Sequence, residues 1–218
     1  MFQSTYLKNR QHNSWYAYRE NVKKRKKLKS CIRLIFPVFC ILLLFSCYMP
    51  EKPDPYQVGA VIRYLLDLQV SRSTGLVPIG NDSPYTTTYS NAMAAIALIR
   101  VNEIDAAERI LDVFAARTDT SPVAELSGGF QQHRDADTGG PVDAEVNDFW
   151  IGDNAWLLAA LNNYHAATGK DTYNSLAARL VCWIRKIWEN TPGDGIYGGF
   201  DKSGTYINKH PEGNIDVY

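Results

Sequence analysis

Apolar residues recur along the chain in two alternating patterns. In the first, Val58, Val61, Ile62, Leu65 and Leu66 fall at i, i+3, i+4, i+7 and i+8 behind Asp54-Pro55, a capping aspartate with a first-turn proline. Ile104, Ala107, Leu111, Phe114 and Ala115 form a second such stripe, with Glu108, Arg109, Asp112 and Arg117 around them. A third runs through Tyr173, Leu176, Ala177, Leu180, Val181, Ile184, Ile187 and Trp188. One stripe per segment predicts three amphipathic helices, each wet on one side. In the second pattern, Asn91–Ile99 and Ala155–Leu161 are apolar on every side. These predict helices buried all round, the latter ended by Gly169 as a left-handed cap. The alternation describes two layers with the buried helices inside. Strand signals are nearly absent, and only Tyr85–Tyr89 reads as a short extended piece.

The inner helices share their punctuation. Asn91-Ala92-Met93, Asn154-Ala155-Trp156 and Asn214-Ile215-Asp216 open on asparagine at steps of 63 and 60 residues. A glycine–apolar pair precedes each: Gly75-Leu76, Gly129-Phe130 and Gly199-Phe200. Recurrence at a fixed period marks a repeat architecture, and the third unit has barely begun at Tyr218, so part of a ring is expected. The loops entering the inner helices run to roughly 20, 35 and 24 residues, against a usual median of about 5. The returns to the outer helices, at Val101-Asn102 and Gly169-Lys170, are tight. All the elaboration therefore lies at one end, where function is expected.

Residues 1–46 read as an export segment. The basic run Lys23–Lys29 precedes the apolar stretch Leu34–Phe45, which is short for a membrane span of roughly 20 residues. Leu44-Phe45-Ser46-Cys47 resembles a bacterial lipobox, making Cys47 the expected lipid attachment point; an uncut signal-anchor is the alternative. Residues 47–55 are then a linker and 56–218 the folded domain. Of the 23 basic and 23 acidic residues, ten and one lie in 1–46, leaving 13 against 22, a net −9. Such a domain is a poor candidate for binding nucleic acid, whose phosphates need Lys and Arg. Cys182 is the one cysteine beyond Cys47, and is expected as a small buried hydrophobe.

Four segments carry a family likeness: Thr74-Gly75-Leu76-Val77-Pro78, Thr88-Tyr89-Ser90-Asn91-Ala92, Gly152-Asp153-Asn154-Ala155-Trp156 and Glu212-Gly213-Asn214-Ile215-Asp216. With the alternating layers, they resemble the six-hairpin glycosidase-like superfamily. The resemblance implies an all-α (α/α) toroid, incomplete here at about half of an (α/α)6 barrel. Its members act on carbohydrates: some hydrolyse, phosphorolyse or epimerise sugars, and others cleave uronic polysaccharides.

Glycoside hydrolysis by inversion needs two carboxylates about 6.5–9.5 Å apart, one protonated and one ionised. Asp153, in the first turn of an inner helix between Trp150 and Trp156, is the leading candidate; the competing reading is capping by Asp153 or Asn154 and core packing by Trp156. Asp82 occupies the equivalent mouth of the first repeat with Tyr85 and Tyr89, though Gly80–Pro84 is also dense in turn formers. Asp148 precedes Phe149-Trp150. His210, Glu212 and Asp216 cluster at the third mouth, where the resembling proteins often read Glu-His-Asn with an aspartate two residues on; Gly213 stands here in place of that histidine. Expected catalytic residues are thus Asp153, Asp82, Asp148, Glu212 and Asp216, and expected substrate contacts Tyr85, Tyr89, Asn91, Trp150, Asn154, Trp156 and His210. Asp135, Asp137, Asp143 and Glu145 are loosely spaced as in calcium loops, without the closing glutamate of an EF-hand; a solvated acidic loop is the plainer reading, and no cofactor is expected. The expectation is an exported, lipid-anchored protein hydrolysing a poly- or oligosaccharide. Its alternatives are a non-catalytic glycan-binding lipoprotein, an inactive truncated fragment, or a lyase or epimerase on the same fold.

Overall fold

The structure, a computed structural model, describes residues 54–143 and 147–217; the export segment and Cys47 lie outside them. The fold is mostly helical. Outer helices α1 (Pro55–Val70), α3 (Ile104–Ala115) and α5 (Asn174–Glu189) alternate with α2 (Thr88–Arg100), α4 (Ile151–Thr168) and the short α6 (Pro211–Val217). Helix α2 packs on α4 and α4 on α6, while α3 covers α2 and α5 covers α4. Asp54 caps α1 as expected, its Oδ1 accepting from Tyr56 N–H at 2.9 Å. Gly169 ends α4 in the left-handed conformation with φ 68°. None of the helices among the described residues is long and apolar enough to cross a membrane.

The asparagines do not open the inner helices. Each sits at the fourth helical position, fully or partly buried, and its amide turns back to clamp one residue of the preceding loop. Asn91 Oδ1 accepts from Val77 N–H (2.9 Å) while its Nδ2 donates to Val77 C=O (3.2 Å). Asn154 holds Phe130 in the same way at 2.8 and 2.9 Å, and Asn214 holds Ile196 at 2.7 and 3.0 Å. In every case Nδ2 also donates to the carbonyl four residues back, on Thr87, Trp150 and His210. A side-chain amide carries one acceptor and two donors, so it satisfies buried loop groups as a strand neighbour would. The clamped residue follows a glycine directly in the second and third units, Gly129-Phe130 and Gly195-Ile196, and lies one residue past Gly75-Leu76 in the first; Gly199-Phe200 belongs instead to a strand.

Consecutive units are tied by a second repeated contact. The first N–H of α2, on Thr88, donates to Gln132 C=O (2.8 Å), and that of α4, on Ile151, donates to Gly198 C=O (2.8 Å). Gln132 and Gly198 each lie two residues past a clamped position, in the following unit. Short strands follow the same rule: β1 (Tyr85–Thr87) pairs antiparallel with β2 (His133–Asp135), and β3 (Phe149–Trp150) with β4 (Gly199–Phe200), which also pairs with β5 (Tyr206–Ile207). The extended piece expected at Tyr85–Tyr89 contains β1, whereas β2 to β5, two or three residues each, leave too little period-2 signal to be read from an otherwise helical pattern.

Two apolar clusters form the core. The larger joins the C-terminal half of α1, through Leu68, to α2, α3, α4 and the first half of α5 with Leu76, Val77 and Phe130; the smaller gathers Leu126, Phe149, Ile151, Trp183, Ile187, Ile196 and Phe200. The inner helices are not buried all round: Tyr89 and Met93 on α2 are 41% and 37% exposed, on the face that none of the described helices covers. On α5 the buried stripe is Leu176, Leu180, Trp183 and Ile187. Cys182 lies one residue, about 100° of helix turn, off that stripe and is exposed, as are Val181 and Trp188.

Candidate active site

The starts of α2, α4 and α6 converge on a cavity of about 440 Å³. Helix α2 contributes Tyr89 and its N-capping Thr87, α4 contributes Trp150, Gly152 and Asp153, and α6 contributes His210, Glu212, Gly213 and Asp216, with Gln132 and Gly198 between them. Two glycines let α4 and α6 approach. A Cβ on Gly213 would stand 3.0 Å from Ile151 Cγ2, and one on Gly152 would stand 2.8 Å from Asp216 Oδ2. The Asp216 carboxylate therefore lies directly over the first turn of α4.

Asp153 is the unusual group. At the equivalent third position of α2, Ser90 completes a capping box, its N–H donating to Thr87 Oγ1 and its Oγ accepting from Thr87 N–H. Helix α4 has Trp150 at its N-cap and no side-chain cap at all, so the carboxylate of Asp153 is not used for capping. It is 8% exposed, and its Oδ2 has no hydrogen-bond partner. Burial pushes its pKa from 3.8 to about 7, with Asp216 and then Glu212 adding repulsion and a hydrogen bond from Tyr89 N–H opposing them. A position in the first turn of a helix favours the anion by up to about 2 kcal/mol, so desolvation and like charge win here. A carboxyl poised near neutrality can both hold and release a proton at physiological pH.

Of the expected residues, the cavity brings together Asp153, Glu212, Asp216, Tyr89, Trp150 and His210. The Trp150 indole meets the His210 ring edge-on at 5.5 Å. Trp156 lies behind, packed on the core and edge-on to Tyr89 at 6.2 Å. Asn91 and Asn154 are wholly buried clamps and do not reach the cavity. Asp82 and Tyr85 are exposed residues beside the cavity-facing segment, without a place in its wall. Asp148 is also outside the wall; burial and then Asp201 raise its pKa, against His133 and Lys202. Thr87 and Gln132 are lining residues that carried no distinguishing signal in the sequence. The acidic loop is self-contained: Asp135 Oδ1 accepts from Asp137 and Thr138 N–H, and Asp137 pairs with Arg72 at 3.0 Å. Glu145 lies outside the described residues, and among those described no group of three His, Cys, Asp or Glu could hold a metal ion.

No protein-family model matches this sequence, and no curated protein matches it either. The reading of the cavity rests on its own chemistry.

Proposed function

We propose that this chain is an exported, lipid-anchored, carbohydrate-active protein that hydrolyses a glycosidic bond in the cavity at the starts of α2, α4 and α6. The observation that carries this is the buried carboxyl of Asp153, whose Oδ2 has no hydrogen-bond partner, at a cavity lined by two further carboxylates with Tyr89 and Trp150. Asp153 acts as the general acid, protonating the leaving oxygen, and Glu212 or Asp216 is the ionised partner that activates water. Trp150 and Tyr89 supply apolar faces on which a sugar ring stacks. Among the described residues no Lys or Arg lines the cavity, which favours neutral sugars and speaks against a lyase acting on uronic chains. The clamps and inter-unit contacts repeat without change from one unit to the next, which supports reading the helices as part of an (α/α) toroid.

The test is reducing-end release from a panel of neutral oligosaccharides by the wild type and by Asp153→Asn. Hydrolysis should fall by at least about 10²-fold in the variant while tryptophan fluorescence still reports sugar binding. Binding without hydrolysis in the wild type would establish the glycan-binding alternative. An Asp153→Asn variant as active as wild type would sink the assignment.

A further inference from the structure

A second cavity, of about 600 Å³, lies away from the mouth between the end of α1, the length of α3 and Thr138. Residues 47–218 hold 13 basic against 22 acidic side chains, yet three of the 13, Arg72, Arg109 and Arg117, line this one cavity. Each is tethered by part of its guanidinium. Arg109 Nη2 donates to Gln69 Oε1 at 2.6 Å, and Gln69 is itself buried and anchored on Gly75 and Ala106 carbonyls. Arg117 Nη2 donates to Thr138 C=O. Arg72 gives Nη1 to Asp137 and Nη2 to Ser83 C=O, while its Nε is buried and has no acceptor. A guanidinium has five N–H donors, so Arg109 and Arg117 retain most of theirs. Asp112, the carboxylate among the lining residues, is already engaged by the Tyr173 hydroxyl at 2.7 Å. Thr138 Oγ1 accepts from Gly140 N–H and keeps its own proton to donate.

We infer that this cavity is a binding site for a tetrahedral oxyanion, a phosphate or sulfate group. Three tethered guanidiniums, Arg72 beyond the end of α1 with Arg109 and Arg117 along α3 and its C-terminal continuation, offer enough N–H donors for three terminal oxygens, whereas a carboxylate offers two oxygens in one plane. The tethers hold the charged heads in place before the ligand arrives, so little side-chain entropy is lost on binding. The site stands apart from the acidic mouth and does not depend on the reaction proposed there.

The experiment is calorimetric titration of the full chain, in detergent micelles, with inorganic phosphate, inorganic sulfate and acetate at constant ionic strength. Saturable binding of phosphate and sulfate is expected, with acetate weaker by roughly tenfold or more. Arg117→Gln should weaken phosphate by roughly tenfold and leave oligosaccharide binding at the mouth unchanged. Because Arg117 also tethers Thr138, Arg109→Gln is titrated in parallel, and circular dichroism confirms that each variant is folded. No saturable heat up to about 20 mM phosphate, a weak limit even for a small ion, would overturn the inference. So would an equal response to acetate, or wild-type affinity in both folded variants.

Discussion

A carboxyl that is harder to ionise in the folded chain than in the unfolded one weakens the fold as the pH rises. Asp153 is raised from 3.8 to about 7, so between those values the folded state holds a proton that the unfolded state has released. Stability therefore falls as pH climbs from about 4 to 7, and the cost is complete above that window. Asp153→Asn removes the ionisation and keeps the shape. The variant should be more stable than wild type by roughly 2–4 kcal/mol at pH 8 and nearly equal to it at pH 4, measured by urea melts at both. An activity that uses the protonated form should decline above about pH 7. Gain of stability on loss of function is the mark of a site kept at the expense of the fold, and a variant less stable at pH 8 would identify Asp153 as a structural residue instead.

At the scale of the element, the asparagine clamp decides where each loop enters the layer. Asn154→Ala leaves the buried N–H and C=O of Phe130 without partners, and should cost roughly 2–4 kcal/mol in a thermal or urea melt. Asn154→Asp should be no milder, since it replaces a donor facing two carbonyls with an oxygen. Two glycines separate strain from function. Gly199 has φ +129° and a Cβ there would stand 1.8 Å from the Phe149 carbonyl, so Gly199→Ala should break the β3–β4 pair at more than about 3 kcal/mol. The one tight contact of Gly152→Ala is with the end of the Asp216 side chain, which can swing aside, the Gly213 Cα standing at an ordinary 3.8 Å; stability should stay within about 1 kcal/mol while hydrolysis drops with the displaced carboxylate. The helices, the tight returns and the asparagine period were legible in the sequence because periodicity and Gly169 write themselves locally. The role of the asparagines was not, because a cap and a fourth-position clamp use the same residue and differ only in what lies 14 to 24 residues earlier. For the same reason Asp153, Glu212 and Asp216 were nameable one by one, but their meeting depends on how closely Gly152 and Gly213 let α4 approach α6.

For the molecule as a whole, the two halves of the site rest on elements of unequal strength. Asp153 sits on α4, an 18-residue helix at the centre of the larger core. Glu212 and Asp216 sit on α6, a seven-residue helix whose buried residue is Gly213. Hydrogen exchange reports opening from near zero free energy up to that of global unfolding, according to how well each element is packed, so α6 should open well before α2 and α4. When α6 leaves, Asp153 regains water and loses two anionic neighbours, and its pKa falls. The open state then binds fewer protons, so opening becomes easier as pH rises through the neutral range. Amide exchange of residues 211–217, corrected for intrinsic rates, should give an opening free energy lower by roughly 1–2 kcal/mol at pH 8 than at pH 6. Asp153→Asn should abolish that difference while leaving exchange in α3 untouched. If α6 keeps the same opening free energy at both pH values, the three carboxylates do not repel across the cavity, and the acid–base pairing loses its physical basis.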